Sequence, residues 1–475
     1  MPVKGGGKGR MMLFNQENQL MTQGNIIQLI VRFSIPLLIG NLLQQSYQLV
    51  DLIIVGRYID DGGLSVAAVG MGTSFINMMI GFFIGLSTGA GIVISNGFGA
   101  GKMNQVKRSV RLSILLAAGV SAAVSLFSIL TCDWFLQITN TTEEIFALSQ
   151  TYLKIYYIGF VPMLLYNMGT SVLQALGNST SPFYYLLVTC ILNIFLDIFF
   201  IRDLDMGVGG AAAATVAAQI VAMALILWKI SRMGMLRKPE EEEKEETAVQ
   251  NRRILRTMIR YGLPIAFQQV TVNLSNLILQ AYVNLLGTQV IAAFGIFGKI
   301  DGFLLLPLSS FSVAITTFTG QNYGAGKLDR ILRAKRYVCW MSAGVTLALS
   351  GIFILACRPI VLFFEDTPAV VDTTAEICFY MLPFYFLLAL MRVYTGLFNG
   401  LGRPALGSVA MIACLCVARV IVISVIFPLL SSIVSIYISY YVSWVLGLVA
   451  VVVIFRTKVY PQVFGRKEEG GAPNV

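Results

Sequence analysis

Twelve continuous apolar runs, each long enough to cross a lipid bilayer as a helix, leave this chain few ways to fold. A hydrocarbon core about 30 Å thick needs roughly 20 helical residues to span it. The runs lie near 33–57, 65–95, 108–132, 146–175, 182–201 and 208–231, then near 255–285, 289–320, 332–356, 371–400, 405–428 and 431–455. Strands of a membrane barrel would be short and alternating, whereas these are long and uninterrupted. Composition agrees: 12% of the residues are charged, half of the roughly 25% that a water-soluble domain carries. The sequence predicts an all-α integral membrane protein that passes many times through the cell membrane.

The net charge of +10 does not read as a nucleic-acid footprint, because the basic residues gather in loops between apolar runs. One set of loops holds Lys102, Lys107, Arg108 and Arg111, then Arg237, Lys238, Arg252, Arg253 and Arg256, then Lys327, Arg330, Arg333, Lys335, Arg336 and Arg403. The other set holds little beyond Arg57, Arg202 and Arg358. Lys and Arg favour cytoplasmic loops, so both termini are expected in the cytoplasm. The expected organisation is an N-terminal tail over 1–27, an N-lobe over 28–232, a charged linker over 233–253, a C-lobe over 254–456 and a tail over 457–475. The tail's first ten residues, rich in Gly and Lys, read as disordered, and the acidic run Pro239–Thr247 reads as a solvated linker.

Several chemistries are excluded. With no histidine in the chain there is no Ser-His-Asp or Cys-His nucleophile and no His-ligated zinc. The seven cysteines, without a CxxC spacing, read as small apolar helix residues. Gly97-Phe-Gly-Ala-Gly-Lys102 fails the phosphate-loop pattern, with Asn96 and Met103 where Gly and Ser or Thr are required. It reads as a tight turn with a basic anchor. Gly207-Val-Gly-Gly-Ala-Ala212 opens an apolar helix with no strand before it, so close helix packing accounts for it. No cofactor is expected, and uphill work would have to draw on an ion gradient.

The two halves of the chain resemble each other. Lys327 of Gln321-Asn-Tyr-Gly-Ala-Gly-Lys327 stands 225 positions after Lys102 of Asn96-Gly-Phe-Gly-Ala-Gly-Lys102. Ala292-Ala-Phe-Gly295 follows Ala67-Ala-Val-Gly70, and Leu401-Gly402 follows Leu176-Gly177, in the same register. Six runs per half make the halves parallel repeats, an arrangement in which two pseudo-symmetric six-helix bundles rock around a central cavity.

Charges within the runs are expensive unless paired or functional. Asp51 precedes Tyr58 by seven residues, Asp197 precedes Arg202 by five, and Asn193 lies one turn before Asp197. Thr215 follows the start of the sixth run at Val208 by seven residues. At 1.5 Å per residue these groups share a depth, about 7–11 Å from the outer boundary. Their oxygens suit Na⁺, and a proton could instead neutralise either carboxylate. A structural role as interhelical glue is the alternative. In the second half Asn276, Lys299, Asp301, Arg392 and Arg419 are candidate cavity or substrate residues. Lys299 and Asp301 do not share a helix face, and the arginines have no evident acidic partner; a substrate anion or a helix C-terminus would serve. Pro36 and Pro264 lie within the first and seventh runs and predict bends there.

Taken together, Ile35-Pro36, Val50-Asp51, Ala67–Gly70, the turns at Lys102 and Lys327, Leu176-Gly-Asn178, the Asn193–Asp197 pair and the small-residue run leading to Thr215 resemble the multidrug and toxic compound extrusion (MATE) transporters, closest to the DinF-like branch. The resemblance covers roughly residues 28 to 456. It implies two six-helix lobes around a central cavity and export of amphipathic, often cationic drugs in exchange for H⁺ or Na⁺. It further implies a cation site at Asp51, Asn193, Asp197 and Thr215, with a backbone carbonyl from Ala211, Tyr152 nearby and a bend at Pro36. The other bacterial branch carries an acid in the tenth helix, where this chain reads Leu390-Met-Arg392, so coupling is expected in the N-lobe. Small molecules and the bilayer are the expected partners, and the chain is expected to act as a monomer. The alternatives are a flippase for lipid-linked sugars, whose pyrophosphate would suit Arg392 and Arg419, and an intramembrane prenyl transferase. For the latter, Asp60-Asp61 lacks the second acidic pair needed to hold Mg²⁺ on a pyrophosphate.

Overall fold

The computed structural model describes residues 20–59, 62–237 and 244–465. Expectations for residues 1–19, Asp60-Asp61, 238–243 and 466–475 lie outside it. Among the described residues there is no strand; the chain forms twelve helical spans. In the first half they are α1 (Ile26–Tyr58), α2 (Gly62–Gly99), α3 (Met103–Ile138), α4 (Glu143–Ile158 and Phe160–Ala175), α5 (Thr180–Asp197, continued by a π-helical stretch over Ile198–Asp203) and α6 (Gly207–Arg232). In the second they are α7 (Lys244–Asn284), α8 (Thr288–Gly324), α9 (Leu328–Leu362), α10 (Pro368–Met381 and Tyr385–Gly400), α11 (Pro404–Ile412 to Arg419–Ile426 through a π-helical stretch) and α12 (Ile433–Ile454, extended to Val463).

Ten of the spans are long and apolar enough to cross a membrane as single stretches. The other two fall short for local reasons. Span α4 is broken at Gly159 into two 16-residue helices, and α7, charged before Tyr261, carries Gln268, Gln269, Asn273, Asn276 and Gln280 in the uncharged stretch that follows.

The repeat seen in sequence is present in the backbone. Gly101 and Gly326 both adopt a left-handed φ, 73° and 69°, the region that glycine enters without strain. The amide of Lys102 donates to Gly97 O at 3.0 Å and that of Lys327 to Asn322 O at 2.8 Å. Both turns are helix C-caps and cradle no phosphate. Span α10 breaks at the 3₁₀ turn Leu382–Phe384, as α4 breaks at Gly159. At each break one carbonyl accepts both a backbone N–H and a serine hydroxyl, at matching positions of the two halves. Ser125 Oγ donates to Tyr157 O at 2.7 Å, and Ser350 Oγ to Leu382 O at 2.8 Å.

The contacts divide the chain into two units, and neither matches a simple half. Ile35–Leu263 belongs to one unit, and Met21–Ser34 with the chain from Pro264 onward to the other. The first helix of each half thus begins in one unit and changes to the other at its proline. In the second unit the start of α1 is held by Met21 N–H donating to Gln321 Oε1 at 2.8 Å and Lys327 Nζ donating to Thr22 O at 2.8 Å. In the first unit the start of α7 approaches α2 where a Cβ on Gly89 would lie 2.3 Å from Gly262 N. Both backbones meet there without side chains, the small-residue packing of membrane helices.

These details change three expectations. The helix α7 begins inside the stretch read as a linker, 233–253, because Ile254 and Met258 make a buried stripe one turn apart. Residues 21–27 are fixed instead of forming a tail, and α12 runs past 456 to Val463. The seven cysteines are all free, six of them buried. The small-residue run at the start of α6 packs as expected: Gly210 lies with its Cβ position 3.1 Å from Phe200 O.

Candidate functional site

Asp51 on α1 and Asp197 at the end of α5 lie close enough for their carboxyl groups to act on one another. Asp197 is fully buried. Neither of its oxygens, nor Asp51 Oδ1, receives a hydrogen bond from a donor elsewhere among the described residues. No Lys or Arg among those residues exerts a charge on either group. Two neighbouring carboxylates repel one another while both are ionised.

The polar groups around the pair are similarly unspent. Asn193, one turn before Asp197 and 2% exposed, has neither its amide nitrogen nor its oxygen bonded, and Gln219 Oε1 has no donor. Thr215 Oγ1 donates to Ala211 O at 3.1 Å, which turns the threonine oxygen's lone pairs away from its own helix. Ala211 is itself buried. Tyr152 is buried within electrostatic reach of both acids, with its ring 5.7 Å from that of Tyr156. A π-helical stretch begins immediately after Asp197; such stretches re-aim side chains and concentrate at functional sites.

A cavity of about 100 Å³ opens beside this cluster, lined by Asn193 and Thr215 together with Tyr47, Tyr156, Asn167 and Gln219. It has room for several water molecules; drug pockets are several times larger. Tyr47, Tyr156 and Gln219 were not among the residues expected from sequence. Each stands four positions from an expected one, Asp51, Tyr152 and Thr215 respectively, so extending each pick by one helical turn would have found them. Pro36 is not at the site: fifteen residues separate it from Asp51, about 22 Å along the helix axis. The helix assignment runs through it unbroken.

The candidates of the second half fall into three groups. Arg419, 3% exposed, donates from Nη1 to Asn276 Oδ1 at 3.2 Å and from Nε to Ser443 Oγ at 3.4 Å, and its guanidinium lies 4.4 Å from the Tyr440 ring centre. Asp301 accepts a hydrogen bond from the Tyr385 hydroxyl and feels the charges of Arg419 and Arg392. The arginines therefore do have an acid near them, and neither meets a helix C-terminus. Lys299 is exposed and away from this group, while Arg392 is half-buried. The second unit also draws a dense apolar core around Trp444, Tyr385 and Phe398.

The fold is that of a multi-span membrane protein built from two repeats, with a pair of acids inside one of them. Residues 36–199 and 264–425 match the MatE family. The chain belongs to that family of multidrug efflux transporters, and each match begins at the proline where the chain changes unit. It is similar to the probable multidrug resistance protein YoeA of Bacillus subtilis (strain 168), 30% identical over 335 residues, covering 68% of this chain and 70% of that one. It is also similar to the probable multidrug resistance protein YpnP of the same organism, 27% identical over 312 residues, covering 65% and 68%. Among solved structures, an outward-facing multidrug resistance MATE family transporter of the MOP superfamily matches with a TM-score of 0.84 at 21% identity, over 96% of this chain and 99% of that one.

Proposed function

We propose that this chain is an antiporter that exports amphipathic, often cationic drugs from the cytoplasm in exchange for H⁺ or Na⁺, with the exchange site at Asp51, Asn193, Asp197 and Thr215. It sits in the cell membrane with both termini in the cytoplasm, acts as a monomer and needs no cofactor beyond the coupling ion. One observation carries the reading: a fully buried Asp197 and a partly buried Asp51 from different spans face one another with no cationic side chain among the described residues acting on them. Interhelical glue would be built from pairs that satisfy one another, and this pair is satisfied only when a cation arrives.

In the cycle, H⁺ or Na⁺ entering from outside occupies the pair, with Asn193 and Thr215 supplying further oxygens and Ala211 a carbonyl. The outer half of α1, which carries Asp51, is drawn toward α5 and pivots at Pro36. Cargo affinity falls and the drug leaves. The loaded protein then returns to release its ion inward. Each ligand weakens the other by the same factor, as linkage requires.

The test is ethidium efflux from proteoliposomes with a proton gradient and a sodium gradient imposed separately. Efflux driven by one of them and absent without either supports antiport. Efflux indifferent to both overturns it.

A further inference from the structure

The 225-residue register carries the cation station of the first unit onto a second station in the other, and the residues there change sign. Asp51 corresponds to Asn276 and Asn167 to Arg392; Thr215 and Ala218, which line the cavity, correspond to Tyr440 and Ser443. Of these, Asn276, Tyr440 and Ser443 gather around Arg419. The first station holds two acids and no base, and the second two bases and one acid, Asp301.

The two arginines differ in how far they are spent. Arg419 is enclosed by Asn276, Ser443 and the Tyr440 ring, and its place is structural. Arg392 makes no hydrogen bond or ion pair through its guanidinium among the described residues; its Nε is enclosed without an acceptor, while the side chain as a whole is half-buried. It lies eight residues before the end of α10 at Gly400, about 12 Å into the span. A guanidinium there that shares its nearby acid, Asp301, with Arg419 and makes no hydrogen bond among the described residues is costly unless it is used. Asp301 answers one positive charge, and Tyr385 already occupies one of its oxygens, so the station retains one charge in surplus.

We propose that Arg392 receives an anionic group carried by the cargo, a carboxylate, sulfonate or phosphate, so that the chain favours amphipathic zwitterions over the corresponding cations. Its planar fork matches such oxygens in a bidentate pair. The inference rests on the cargo-binding part of the reading above and is independent of ion coupling.

The probes are rhodamine 110, which bears a free carboxylate, and rhodamine 123, its methyl ester, on one fluorescent scaffold. Binding is followed by fluorescence anisotropy with the full chain purified in detergent, where no gradient exists and a failure of antiport cannot affect the result. The wild type should bind rhodamine 110 about tenfold more tightly, the worth of one charge-assisted hydrogen bond in a shielded site. Arg392→Gln should abolish the preference by weakening the binding of rhodamine 110, and Arg392→Lys should keep part of it. Competition by phosphatidylglycerol assigns the same station to a lipid headgroup as well, and its absence restricts it to soluble cargo; both keep the site. Equal wild-type affinity for the two dyes, no saturable binding of either, or an Arg392→Gln variant that retains the preference overturns the proposal. The wild-type comparison stands whether or not a variant folds.

Discussion

Asp51 and Asp197 face one another between α1 and α5, and no basic side chain among the described residues acts on them. Two like charges in a shielded site repel strongly, so the pair stores a demand for a cation. Asp51→Asn or Asp197→Asn removes that demand. Each variant should insert and purify normally, with a thermal midpoint in detergent at or above that of the wild type, yet confer at least tenfold less ethidium resistance on cells. Full resistance in both variants would remove the site from the mechanism.

The twelve spans, the repeat and the acids were legible in the sequence because each has a local signature: apolar length, a fixed register, or a charge where none is tolerated. Partnership was not legible. Nothing in the spacing told that Arg419 would be taken up by Asn276 and Ser443 while Arg392 made no hydrogen bond among the described residues, because the contacts of Arg419 join residues 143 and 24 positions apart. The exchange of helix starts at Pro36 and Pro264 was hidden for a related reason. Polar composition made residues 244–253 read as linker, and the Ile254–Met258 stripe that docks the helix is only one turn wide. Breaks at Gly159 and Leu382–Phe384 were hidden because hydropathy runs through them without a change.

Span α7 should tolerate no side chain where it meets α2. A Cβ at position 89 would stand 2.3 Å from Gly262 N and 2.7 Å from Met258 O, backbone atoms that cannot yield cheaply. Gly89→Ala should therefore destabilise the protein by about 1–3 kcal/mol, read as a lowered thermal midpoint in detergent. Gly344→Ala, with open space around the Cβ position, is the matched control and should be neutral or slightly stabilising.

The serines that answer the breaks should be equivalent across the repeat. Ser125→Ala removes one of the two donors to the Tyr157 carbonyl, and Ser350→Ala one of the two to Leu382, leaving each with its backbone N–H. The loss of one hydrogen bond to an acceptor that keeps another costs about 0.5–1.5 kcal/mol, so both variants should lose stability by similar amounts. Chemical denaturation in mixed micelles would measure it, and a large loss in one with none in the other would show that the repeat is not energetically symmetric.

Arg419 and Arg392 should separate in the same assay. Arg419→Gln leaves Asn276 Oδ1 and Asp301 short of a cation and should cost about 3 kcal/mol or more. Arg392→Gln breaks no hydrogen bond among the described residues and should cost under about 1 kcal/mol. The reverse order would mean that Arg392 holds the fold together.

Pro36→Ala restores a helix hydrogen bond about 22 Å from the acids. It should stabilise or leave unchanged the folded protein while slowing ethidium efflux several-fold, because the pivot between the part of α1 in one unit and the part in the other is lost. Transport at the wild-type rate would remove the proline from the mechanism.

The most direct measurement counts the ions released when cargo binds. Ethidium is added to the purified protein in weakly buffered detergent solution, and liberated H⁺ or Na⁺ is followed with a pH dye and a sodium electrode. The account predicts that the wild type releases about one cation per ethidium bound and that Asp197→Asn binds ethidium with no release. Ethidium binding by the wild type without any release, or equal release from the Asp197→Asn variant, would contradict it.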